Sequence, residues 1–309
     1  MNPIEQYRIL CDKEDEYIPL FQQAWWMDTV CHGKQWDVLL CHEGDTIVGA
    51  MPFLYGKKLG LKFILQPQLT PWCGPWLRHG MDFDHQQSVL EYLAKALHEQ
   101  HTALCMQCFP PEIGNWQPFH WHGFRQSTRY TYRFASLKDI DSLYNNASRL
   151  RRRYDKAVAE QCAVDETLSL DEFVPFHIDY YHRRGEQDLI KKDLLRRVVN
   201  TACTRGHGLL WGLRDRKDNT LHAAWFVVYD SQCAWSLLLA IGKKAPHGAM
   251  SYLMWQMLRR LSTLTQSFDF EGGMDKKLAF FYRSFGTTQT PYHCIYRSCI
   301  PFGERLLHL

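Results

Sequence analysis

Along the first 137 residues the spacing of apolar positions changes several times, and each change marks an element. A helical stretch is predicted over 13–31. Alternation from Trp36 to Cys41 then predicts a strand, Glu43-Gly44-Asp45 supplies a turn, and Thr46 to Leu54 returns as the second arm of a hairpin. A third strand is expected from Phe63 to Gln66. Between Gln66 and Trp76, three prolines and Gly74 exclude a regular helix or a central strand, which leaves a shaped loop. Val89, Leu90, Leu93, Ala96 and Leu97 recur at helical spacing within 84–99. Thr102 to Phe109 reads as a strand, and a short helix near 112–121 and a strand from Thr128 to Phe134 complete the half.

The pattern restarts near residue 138. One helix is expected over 138–160, holding the run Arg149-Leu150-Arg151-Arg152-Arg153-Tyr154-Asp155-Lys156, with two more near 171–184 and 188–204. Strands follow at 208–214, 221–229 and 233–241. Pro246 suits the first turn of a helix whose one face carries Met250, Leu253, Met254, Met257, Leu258 and Leu261. A short strand, Phe268-Asp269-Phe270, runs into Glu271-Gly272-Gly273, and a last helix with Leu278, Phe281 and Phe285 closes at Gly286 before a strand over 289–298. The sum is an α/β chain of two domains, 1–137 and 138–309, with the final residues free to return to the N-terminal one. Each domain is expected to be a mostly antiparallel mixed sheet flanked by helices.

Composition narrows the function classes. A net charge of +3 spread over 309 residues is not the footprint of a DNA-binding protein. Met1 to Glu5 lack the basic and then apolar run of a secretory leader, and the eleven cysteines are scattered, so a cytoplasmic protein with reduced thiols is expected. The most apolar stretch, Ala223 to Gly242, is broken by Asp230-Ser231-Gln232; it reads as two strands, and no membrane span is expected. Cys105 and Cys108, three apart on a strand, point to opposite faces, so no metal site is expected there even with His120 and His122 nearby.

Some residues carry candidate chemistry. A helix start exposes unpaired N–H groups, and the one near His247 has Gly248 and Ala249 for close approach and Lys243 and Lys244 for charge; the same residues also suit an ordinary strand-to-helix turn. Asp269 and Glu271, two apart at a strand end, share a face and suit proton removal from an amine or binding of its ammonium form, or else capping and pairing with Arg283. The basic run around Arg152 can hold phosphates or be a solvated helix face, and Trp72 and Trp76 can wall a groove or plug a core.

The phrases Phe268-Asp269-Phe270-Glu271-Gly272-Gly273 and Phe280-Phe281-Tyr282-Arg283-Ser284-Phe285-Gly286 resemble the C-terminal part of GNAT-fold proteins. More closely, they resemble the branch related to the FemAB peptidyltransferases. The loop from Gln66 to Trp76 and the basic run Arg149 to Ala157 are similar to segments of that branch. The resemblance implies tandem GNAT-like domains that transfer an acyl group from acyl-CoA, or an aminoacyl group from tRNA, to an amine of a small molecule, sugar, peptide or cell-wall precursor. It implies Glu271 and Tyr282 as catalytic residues, the tyrosine as acid toward the leaving thiolate, although half-buried packing suits Tyr282 equally. Joined to the chemistry of those residues, this reading puts Lys243, Lys244, His247, Gly248 and Ala249 at the donor, and Trp72, Asp269, Arg152 and Arg283 at the substrate. Two departures stand out: Gly242 to Met250 keeps one glycine near the usual pyrophosphate loop, and 160–205 is too short for the long helical arm of tRNA users. A GNAT-fold binding protein without catalysis is the third reading.

Overall fold

The computed structural model describes residues 1–15, 17–186 and 190–300. In chain order the first elements are α1 (Pro3–Lys13), α2 (Ala24–Val30), β1 (Gln35–Glu43), β2 (Thr46–Lys58), β3 (Leu61–Leu65) and β4 (Trp76–Leu77). Then come α3 (Phe83–His98), β5 (Leu104–Cys108), α4 (Gln117–Trp121), β6 (Arg125–Phe134), α5 (Ile140–Asn146), α6 (Arg149–Arg152) and α7 (Asp155–Gln161). The remainder is β7 (Cys162–Asp165), α8 (Leu170–Arg183), α9 (Lys192–Thr204), β8 (Gly208–Asp215), β9 (Leu221–Tyr229) and β10 (Cys233–Ile241), followed by α10 (Ala249–Leu261), β11 (Ser267–Asp269), α11 (Lys276–Arg283) and β12 (Thr288–Ser298).

Packing divides the chain into two compact units, residues 1–130 with 291–300, and residues 131–290. The division falls inside β6 and again inside β12, whereas the periodicity of the sequence restarts only at the helix that follows β6.

In the first unit the strand order is β1-β2-β3-β5-β12, antiparallel except for the β3–β5 pair, with β4 beside β2. Helix α3 lays Val89, Leu90, Leu93 and Leu97 on this sheet. The helix expected over 13–31 is not one element. Helix α1 precedes it, started by Pro3 and a capping box between Asn2 and Glu5, and a single 3₁₀ turn leads into α2. So polar a helix offers little apolar periodicity, and its cap is the stronger signal.

In the second unit the order is β6-β11-β10-β9-β8-β7, antiparallel except for β10 and β11. Helix α10 buries Leu253, Met254, Met257 and Leu258 against one face, while α8 packs on β10 and α9 on β8. The helix expected over 138–160 is instead three short ones, because Ala147 adopts an extended conformation, Ser148 caps α6, and the chain passes directly from α7 into β7. Pro246 lies ahead of α10, not in its first turn: the helix begins at Ala249 after a left-handed Gly248. The fold is mixed α/β, with mostly antiparallel sheets flanked by helices. No described helix is long and apolar enough to cross a membrane.

Candidate active site

Strands β10 and β11 run parallel and pair at three positions, Cys233 with Ser267, Ala234 with Phe268 and Trp235 with Asp269. There β11 ends, while β10 continues to Ile241. Directly after the last paired residue β10 bulges, its register against β9 slipping between Ser236 and Leu238. A bulge bends its strand and sharpens the local twist, and here it coincides with the end of the pairing between β10 and β11. The carboxyl ends of the two strands are thus left unzipped, and Phe270, Glu271, Gly272 and Gly273 emerge at that end.

Glu271 is half-buried and has φ of +51°, a conformation unusual for a residue with a side chain. Its N–H donates to Asp269 Oδ1 at 2.7 Å. Asp269 is closed to solvent; Thr131 Oγ1 donates to the same oxygen, and Arg133 Nε lies 3.3 Å from Oδ2. Desolvation, and then the charge of Asp269, push the Glu271 carboxyl up to about 8.

Tyr282, buried on α11, stacks on Phe270 at 4.7 Å between ring centroids. Burial first and then the charge of Glu271 raise its phenol well above the ordinary value, so it holds its proton. The same field reaches Tyr181 on α8, raised to about 12 chiefly by burial, with Glu271 among the smaller causes. Tyr181 also lines a cavity of about 480 Å³ together with His177, Ile178 and Lys191. Burial lowers His177 to about 4. Its Nε2 finds no partner among the described residues.

At the start of α10, no side chain caps the helix. Gly248 is required there twice over: φ is +88°, and a Cβ would meet Tyr154 Cβ at 2.7 Å. His247 is exposed and stacks on Tyr154, with ring centroids 5.7 Å apart. Lys243 and Lys244 are exposed in the preceding turn. Arg151 Nη1 donates to Ser251 Oγ in the first turn of α10 at 3.4 Å, and its guanidinium covers the Phe281 ring of α11 at 4.8 Å. Desolvation lowers its pKa, which records a cation held among protein groups.

Asp269, Glu271 and Tyr282 are therefore brought together, and His247, Gly248 and Ala249 form the helix start. Two expected substrate contacts do not fit their positions. Asp269 is fully covered, because β11 is flanked by β6 and β10, so it reaches the site only through Glu271. Trp72 is 2% exposed in the core of the first unit, edge-on to Phe21 and Tyr292. Arg152 lies against the Tyr144 ring at 5.5 Å, and Arg283 is exposed in the last turn of α11. The residues that sequence reasoning missed are Thr131, Arg133, Tyr181 and, within the basic run, Arg151.

No family model and no curated protein sequence matches the chain. Among solved structures, FemX superposes over 94% of this chain and 95% of its own, with a TM-score of 0.71 at 10% sequence identity. A tandem GNAT protein from the clavulanic acid biosynthesis pathway covers 97% of this chain and 95% of its own, with a TM-score of 0.60 at 11% identity. L-PGS from Bacillus licheniformis covers 99% and 96%, with a TM-score of 0.59 at 13% identity. The chain has a FemX-like tandem GNAT fold. At such identities the likeness is one of backbone, and the chemistry of this FemX-like chain rests on its own residues.

Proposed function

We propose that the chain is an N-acyltransferase that moves an acyl group from acyl-CoA to the amine of a small molecule, sugar or peptide. The observation that carries this reading is the unzipped end of β10 and β11, with Glu271 half-buried beside it at about 8. A carboxylate of that basicity is matched to taking a proton from an ammonium group near neutral pH. The deprotonated amine attacks the thioester carbonyl, the tetrahedral intermediate collapses, and the sulfur leaves as thiolate. Tyr282 is the acid that gives the thiolate its proton, and once Glu271 has taken the proton of the amine the negative charge that helps to raise the Tyr282 phenol is gone.

The residues for a donor fit a diphosphate in one respect. The uncapped first turn of α10 offers N–H groups and the positive end of the helix dipole, with Arg151, Lys243 and Lys244 as cations and His247 as a further donor. Arg152 and Arg283 belong to the same reading as more distant charges for an anionic acceptor. The test is a melting curve with acetyl-CoA, CoA and no ligand, followed by transfer to an amine panel in wild type and Glu271→Gln. A stabilised melt with lost turnover supports the proposal; an unmoved melt at millimolar acetyl-CoA removes the donor.

A second reading, aminoacyl or peptidyl transfer to a cell-wall precursor, draws support from the backbone likeness to FemX. Binding of aminoacylated tRNA that weakens steeply with salt would favour it over CoA. A fold retained for binding alone would show ligand uptake with no turnover on either donor.

A further inference from the structure

Glu271 occupies the left-handed region, which a side chain disfavours, yet Gly272 and Gly273 follow directly and would have accepted it without cost. Something specific holds the glutamate there. Its N–H is fixed at 2.7 Å by Asp269 Oδ1, an oxygen that also accepts from Thr131 Oγ1. The other carboxylate oxygen faces Arg133, the residue paired with Asp269 across β6 and β11. The aspartate is thus anchored on one strand by two neighbours from another, and it grips the backbone of the residue two positions on.

We infer that Asp269 is a positioning residue: from a place no substrate reaches, it clamps the backbone of Glu271 so that the glutamate carboxyl is presented at the unzipped end of β10 and β11. Thr131 and Arg133 hold the clamp itself. The inference rests on the reading of Glu271 as the base, and it adds a second effect. The charge of Asp269 opposes ionisation of its neighbour, on top of burial. Among the described residues, the charge of Glu271 in turn reaches Tyr181 from α8 and Tyr282 from α11, both protonated near neutral pH.

Two readouts on the full chain test this without any acceptor. The first is the titration of the Glu271 carboxyl, followed by carbon NMR. Asp269→Asn keeps an oxygen acceptor and removes the charge, and the midpoint is expected to fall by roughly one unit, as loss of a close like charge requires. The second is hydrogen exchange at the Glu271 amide, expected to quicken about tenfold or more in Asp269→Ala, where the acceptor is gone. Should that variant fail to fold, Thr131→Val loosens the same oxygen and should move the exchange in the same direction. An unshifted midpoint in Asp269→Asn together with unchanged amide exchange overturns the inference. A shifted midpoint with full turnover in Glu271→Gln leaves the clamp standing and removes the catalytic reading instead.

Discussion

The loop after β3 and the loop after β11 look alike as sequence: each leaves a short strand, is bordered by aromatic residues and carries glycine. In the first unit, a methyl group on Gly74 would meet Phe109 Cα at 2.9 Å and the Cys108 carbonyl at 3.1 Å, and Trp72 and Cys73 are buried alongside. In the second, nothing lies within 4 Å of the same methyl built on Gly272, and the neighbouring Glu271 keeps part of its surface open. One loop is filled by apolar groups. The other keeps free space beside a carboxyl whose ionisation the protein opposes. Aromatic and glycine content therefore does not separate an open loop from a filled one, and free volume next to an uncomfortable charge marks a candidate site.

This contrast can be broken from either side. Glu271→Gln should lower turnover by roughly 100-fold or more, the range lost with a general base, while leaving the urea midpoint close to wild type. Steady-state kinetics with a urea titration on the same sample checks both halves, and equal loss of fold and activity would make Glu271 a packing residue. Trp72→Ala should do the reverse, costing about 3–5 kcal/mol of stability as a fully buried Trp does, read as a lower denaturation midpoint. Donor affinity lost at unchanged stability would return Trp72 to a groove.

Two smaller effects follow from titration. With Glu271 raised to about 8, kcat/KM should rise about tenfold per pH unit up to that point and level above it, and Glu271→Gln should lack this limb. A limb that persists in the variant belongs to the acceptor amine. His177 works the other way. Burial lowers it from 6.5 to about 4, so protons bind the unfolded chain first. Its contribution to stability is complete above 6.5 and is lost as the pH falls through about 4. Unfolding curves across that interval should show the fall in wild type, reduced in His177→Phe.

Much of the architecture was legible because helices and strands with one buried face repeat at 3.6 or 2 residues. Val89 to Leu97 and Met250 to Leu261 lie on helices for that reason. The basic run misled because charge carries no period, and only the cap at Ser148 marks where α6 begins. Glu271 and Tyr282 stood out through local phrases around glycine and aromatic residues. Thr131 did not, since it lies 138 residues from the aspartate it binds and nothing in the chain announces that pairing. Tyr181 was missed for a similar reason: it sits on a helix 90 residues before Glu271, and nothing local links the two. Arg151 was hidden among like residues, and only the fold shows which guanidinium reaches Ser251.

Because β12 completes the sheet of the first unit, that unit is written in two pieces with the second unit between them. On a ribosome, residues 131–290 can finish their own sheet before the first sheet receives its last strand. Until then β5 presents a bare edge opposite β3, a template for any other extended chain in reach. The late strand thus serves as a closing stitch, and a message cut short before it would yield a protein with a finished second sheet and a sticky, unfinished companion.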